Sequence, residues 1–174
     1  MEYRNIPNIV LKDVDARQMM YRNFAGNEGR FNPAGRRSFT LRFNPDPKVD
    51  GPLVEQLKAD GWNIRDKETR DGDPMCQLQV FVDFSKAKFM PNIKMYRNSD
   101  MRGVRITESN ADLLDSSEIV SFDVSIRPYQ WETAPGTSGV KAYVKSMNVV
   151  IEYDEIADRY EHGVAEDDEE LPFL

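Results

Sequence analysis

Two segments near the end of the chain, EIVSFDVSIRPYQWE (118–132) and GVKAYVKSMNVVIEY (139–153), alternate apolar and polar residues over unusual lengths. A period of two belongs to half-buried strands, so any fold for this chain must accommodate two long strands with one wet face each. The linking sequence TAPGTSG carries the Pro and Gly of a hairpin connection. In the first segment Val120, Phe122, Val124 and Ile126 share one face, and Ser121, Asp123, Ser125, Arg127, Tyr129 and Trp131 share the other. In the second, Val140, Ala142 and Val144 suit a core, with Lys141, Tyr143 and Lys145 opposite. Beyond Ser146 the apolar set becomes Met147, Val149 and Ile151, a change of phase that a β-bulge would produce.

The rest of the chain follows the same pattern. Residues 16–24, 38–43, 62–68 and 77–84, together with NIKMYR and VRIT, read as further strands. In QLQVFVDF (77–84), Leu78, Val80, Val82 and Phe84 form the apolar face. LVEQLKADG (53–61) reads as a short helix with Leu53, Val54 and Leu57 on one side and Gly61 as its stop; DEIADRYE (154–161) reads as a second. The class is therefore mainly β: an OB-fold-like antiparallel barrel with one or two short helices, with long loops expected between its first two and last two strands. A β-sandwich is the alternative. Residues 1–162 are read as one domain and 163–174 as a disordered acidic tail, which has little to bury.

Composition narrows the function. The net charge is −7, and five of the carboxylates are consecutive, Glu166 to Glu170, ahead of the apolar tip Leu171–Pro172–Phe173–Leu174. By contrast, Ala16 to Pro45 carries six arginines (17, 22, 30, 36, 37 and 42) against one glutamate, Glu28. A basic region and an acidic end on one chain point to charged partners. One cysteine, Cys76, excludes an internal disulfide, and one histidine, His162, leaves little for a histidine metal site. The sequence contains no P-loop, GxGxxG or HExxH pattern, so no catalytic residue, metal or cofactor is assigned. Asp83, Asp123 and Glu152 are the only carboxylates worth weighing as a nuclease set. The N-terminus has no signal-peptide pattern and no apolar run is long enough to span a bilayer, which gives a cytoplasmic expectation.

Aromatic and basic residues interleave on faces that should be wet. Arg127, Tyr129 and Trp131 follow one another at a spacing of two, and Lys141, Tyr143 and Lys145 do the same on the neighbouring strand. Exposed rings need a reason, and base stacking is one, worth about 1–3 kcal/mol per base and tolerant of sequence. Arginine and lysine add phosphate contacts. The Gly- and Asn-rich loop 27–37 contributes Arg30, Phe31, Arg36 and Arg37, and Arg22 precedes it. This pattern points to single-stranded nucleic acid. A protein-interaction or structural module, with the aromatic face against another protein, is the alternative.

With these residues in view, the chain resembles the single-stranded DNA-binding proteins of tailed phages. The resemblance rests on FNPAGRRSFTL (31–41), LKADGWNI (57–64), IRPYQWE (126–132) and GVKAYVKSMNVVIEYDE (139–155). It implies an OB-fold, sequence-tolerant binding of single-stranded DNA in replication and recombination, and a place in the cytoplasm of an infected bacterium. It adds Trp62 to the candidate binding residues. The tail is similar to the acidic, Pro-Phe-closed tip of bacterial single-stranded DNA-binding proteins, extended here by Leu174. That likeness implies recruitment of replication or recombination proteins through Asp167, Asp168, Glu169, Glu170, Leu171, Pro172, Phe173 and Leu174. Oligomeric state, monomer or homodimer, is left open.

Overall fold

The structure is a computed structural model that describes residues 4–97 and 100–152, with only the backbone described at 100 and 101. The expected helix at 154–161 and the tail lie outside the described residues. Among the described residues nine strands and two α-helices follow in the order β1 (Ile9–Asp15), β2 (Met19–Asn23), β3 (Arg37–Phe43), α1 (Gly51–Asp60), β4 (Arg65–Glu68), β5 (Pro74–Val82), β6 (Asn92–Arg97), β7 (Asp100–Ile106), α2 (Leu113–Ser116), β8 (Ile119–Ala134) and β9 (Thr137–Ile151). No helix among the described residues is long and apolar enough to cross a membrane.

All nine strands share one sheet. Its main path runs β1-β8-β9-β5-β3-β2, with β4 beside β5 and the β6–β7 hairpin beside β9. The two ends of that path, β1 and β2, are consecutive in the chain and joined by a single 3₁₀ turn, Ala16–Gln18. A flat sheet would place them five strands apart, so the sheet curls into a half-barrel of the OB-fold type. Most pairings are antiparallel, but β9 pairs parallel with both β5 and β6. The core fills the curl: Phe24, Phe39, Leu41, Phe43, Val80, Phe122, Ile126, Met147 and Val149 are all almost fully buried. α1 starts with Pro52 in its first turn and stops at Gly61, whose φ of 104° suits glycine at a helix C-terminus. It adds Val54 and Leu57 to the core.

β8 and β9 form the long hairpin expected from their alternation, and the phase change falls where expected. Ser125 pairs with Ser146, but Ile126 pairs with Val144, which leaves Lys145 as the extra residue of a bulge. β9 changes neighbour at the same point, from β5 at Ala142–Tyr143 to β6 from Ser146 onward. Two expectations need correction. The connection between β8 and β9 is no long loop: it is Pro135–Gly136, with Gly136 at φ 85°, the residue types of a tight turn. Val120 belongs to no apolar face: a register shift between Ile119 and Ser121 makes it a bulge residue, and it is exposed.

Candidate nucleic-acid interface

The outer face of β5, β9 and β8 carries the candidate site. The register places Phe81 beside Tyr143, and Tyr143 opposite Arg127. One row thus crosses three strands as Phe81–Tyr143–Arg127, and in the next Lys141 stands opposite Tyr129. Phe81 and Tyr143 lie 5.8 Å apart between centroids, and Tyr129 meets Tyr143 edge-on at 6.1 Å. Cations surround these rings. The Arg127 guanidinium is 5.1 Å from the Tyr143 ring centre and 4.6 Å from Phe89. Lys141 Nζ and the Arg36 guanidinium stand 5.5 Å and 6.0 Å from Phe81. At such distances the ring quadrupoles attract the cations, which orders them without using up their capacity for phosphate.

Two ionisable groups at the row, Tyr143 and Asp83, are shifted by their surroundings. Burial pushes the Tyr143 phenol above its ordinary value, Asp83 adds to this and Arg127 offsets part of it, so the ring stays neutral. Burial would also raise Asp83. Hydrogen bonds from the Ser85 hydroxyl and amide, with Lys86 and Arg127 nearby, outweigh it and hold that carboxyl below its usual range. Among the described residues the Arg127 Nε is buried and finds no hydrogen-bond partner.

Trp131 lies further along the same face of β8. Opposite it is Gly139, and a Cβ there would sit 2.8 Å from the indole Cζ2, so the ring lies against the β9 backbone. Beyond Trp131 a groove of about 610 Å³ opens between the α1–β4 turn and the hairpin, lined among others by Arg4, Trp62, Arg65, Phe81 and Lys141.

The loop before β3 is tightly organised. Gly29 and Asn32 exchange backbone hydrogen bonds, leaving Arg30 and Phe31 at the tip. The Asn32 amide donates to the carbonyls of Asn27, Pro33 and Arg36, while its oxygen accepts from Arg36 Nε at 2.8 Å. Arg36 also donates to the Phe31 carbonyl. This holds Phe31 with 82% of its surface exposed, and Arg30 packs over its ring at 5.2 Å.

The structure therefore brings together Arg36, Arg127, Tyr129, Lys141 and Tyr143, with Trp131 next along and Arg30 and Phe31 on a loop joined to the cluster through Arg36. Lys145 is exposed at the bulge. Three candidates are placed elsewhere. Arg22 donates to the Leu114 and Ser117 carbonyls at the end of α2, both at 2.9 Å. Arg37 donates to the Phe24 carbonyl, stacks on Phe84 and faces Glu108 at 3.7 Å, with 13% of its side chain exposed. Trp62 is 4% exposed and belongs to the core, so it offers no ring face to a base, although it borders the groove. Phe81 and Phe89 were missed. Phe81 sits out of phase with the core residues of β5, a signal present in the alternation itself. Phe89 ends a single 3₁₀ turn, Ala87–Phe89, too short to show a period. Asp83, Asp123 and Glu152 do not assemble: no three metal-binding side chains group together among the described residues.

Over residues 1–172 the sequence matches the family model described as "Putative phage ssDNA-binding domain". The chain belongs to this family of phage single-stranded DNA-binding domains. Its fold is similar to that of the single-stranded DNA-binding protein from bacteriophage Enc34. A C-terminal truncation of that protein superposes with a TM-score of 0.50 at 11% identity, covering 84% of this chain and 87% of the other. The same phage protein in complex with ssDNA matches with a TM-score of 0.50 at 11% identity, over 84% and 88%. The gp2.5 single-stranded DNA-binding protein of bacteriophage T7 is more distant, with a TM-score of 0.38 at 14% identity, over 89% and 96%. No curated protein sequence matches.

Proposed function

We propose that this chain is a non-enzymatic, sequence-tolerant binder of single-stranded DNA that protects exposed strands during phage replication and recombination. The observation that carries the reading is the row Phe81–Tyr143–Arg127 with Lys141 and Tyr129 beside it: rings on a wet sheet face, interleaved with cations. Bases stack on Phe81, Tyr143, Tyr129 and Trp131, while Arg127, Lys141, Lys145, Arg30 and Arg36 hold phosphates. Phe31 supplies a further ring from its loop, and Phe89 one beside Arg127. Every base has a π-face, so such a surface accepts any sequence. The ssDNA complex of the Enc34 protein, which shares the fold, supports the reading.

In this proposal residues 1–162 are the binding unit and 163–174 recruit replication or recombination proteins. The carboxylates of Asp167 to Glu170 compete with DNA for the basic face, and displacement frees Leu171 to Leu174 for a partner.

A dT-oligomer titration followed by tryptophan fluorescence tests this. Quenching with an affinity that falls as salt rises is expected. The variant Trp131→Ala/Tyr143→Ala, which lacks the reporter ring and is followed by the anisotropy of a labelled dT oligomer, should lose about 2–6 kcal/mol of binding free energy, two stacking contacts. An unchanged affinity would show the stacking face to be misplaced. In the same titration residues 1–163 alone should bind more tightly than the full chain; equal or weaker binding would remove the competition role of the tail.

A further inference from the structure

We propose that the groove beyond Trp131 is a second nucleotide subsite that reads base edges, giving the bound strand a base preference at one end. The inference rests on the single-stranded DNA reading above and assigns that site a selective part.

The groove is continuous with the stacking face, because Phe81 and Lys141 line both. A strand lying over Phe81 therefore runs into it without leaving the protein. Its chemistry differs from that of the stack. The Phe81–Tyr143–Arg127 row offers rings and cations, which any nucleotide can satisfy. The groove adds the side-chain amides of Asn63 and Gln79. An amide presents a donor and an acceptor side by side, the arrangement that tells one base edge from another. Asn63 is exposed on the turn after α1, and Gln79 is half-buried on β5 with one long contact, 3.5 Å, to the Ser38 hydroxyl. Both retain capacity for a ligand.

The remaining walls suit a nucleotide. The Trp131 indole, seated against Gly139, provides a fixed ring. Arg65 and Arg4 provide the phosphate charges. Arg4 is held in place: its amide donates to Gln130 Oε1 at 3.0 Å, and Gln130 Nε2 donates back to the Arg4 carbonyl at 2.7 Å. Its guanidinium rests on Gly61, where a Cβ would come within 3.0 Å. The Nε1 of Trp62, on the groove wall, is buried with no hydrogen-bond partner. Among the described residues only this nitrogen and Arg127 Nε are such orphaned side-chain atoms, and one belongs to each end of the track.

The test compares Kd for labelled dT, dC and dA oligomers of equal length at one salt concentration. Wild-type protein should rank them with a spread of about tenfold, the scale of one good base-edge contact. Asn63→Ala/Gln79→Ala should bring the three within about twofold of one another while leaving the salt dependence intact, since no cation is removed. Gln79 lies in a strand, so Gly139→Ala, whose new Cβ displaces the Trp131 indole, provides a second route to the same collapse. A spread that survives in both variants comes from stacking alone and overturns the subsite. So does wild-type binding with no spread. Failure of the wild type to bind any oligomer would instead overturn the underlying DNA-binding reading.

Discussion

The β8–β9 hairpin is one ribbon with two unlike halves. In the first, Ser121–Ile126 of β8 is flanked by β1, and Ser146–Ile151 of β9 by β6. Its inner residues Phe122, Val124, Ile126, Met147 and Val149 are buried, and its outer face is small and free of rings and cations: Ser121, Asp123, Ser125, Asn148 and Val150. In the second half, from Arg127 to the Pro135–Gly136 turn and back to Tyr143, the outer face is aromatic and cationic. β5 supports it at only two pairs, Val80–Ala142 and Phe81–Tyr143. The two halves share backbone geometry and hydrogen-bonding pattern. They differ in strand support and in the chemistry of the outer face: the first half, flanked by β1 and β6, serves the barrel, and the second is the half proposed to meet a ligand.

Four substitutions would break or sharpen that division. The largest effect is expected at Phe122, 1% exposed in the barrel half: Phe122→Ala should cost about 3–5 kcal/mol in urea unfolding. The DNA affinity of the protein that remains folded should stay unchanged. A loss of affinity at equal folded fraction would mean that the halves are coupled. Next, Lys141→Ala in the ligand half should reduce the slope of log K against log salt by about 0.7, one phosphate contact on a single strand. Asn148→Ala, on the outer face of the barrel half, should leave that slope alone; equal changes in both would erase the distinction. The smallest effect is electrostatic. The Asp83 carboxyl is held below its ordinary value in the folded state, so its contribution to stability is full above the unfolded carboxylate value of about 3.9. That contribution fades as pH falls through the depressed folded value. Asp83→Asn should lower Tm slightly at pH 7, and the difference should vanish in strong acid. A difference that persists there would have a cause other than charge.

The features that could be read from sequence are those written in a regular period. β5, β8 and β9 repeat every two residues, and the bulge at Lys145 shows because the phase slips on both sides of it. β1 is harder: its register shifts between Leu11 and Val14, with Asp13 at φ 52° and its amide bonded to Asp123, so no clean alternation survives. α2 is a single turn, too short for a period. The six arginines near the N-terminus look alike in sequence, yet the fold sends Arg36 toward Phe81, Arg22 to the end of α2 and Arg37 under Phe84. Those fates depend on tertiary neighbours that spacing does not encode. Trp62 shows the same limit, since the residue after a helix stop gives no sign of which way its ring turns. Arg4 and Arg65 become groove residues only once the hairpin stands opposite them.

Lys145 has a further consequence. As the extra residue of the bulge, it has no opposite residue in the register with β8, and its side chain is exposed. Its presence, however, sets the phase of everything on one side of it. Substitution there leaves the fold unmarked, whereas deleting that one residue would turn either Lys141 and Tyr143 inward or Met147 and Val149 outward. For the architecture, position 145 works as a spacer in a reading frame: what it spells matters less than that it is counted.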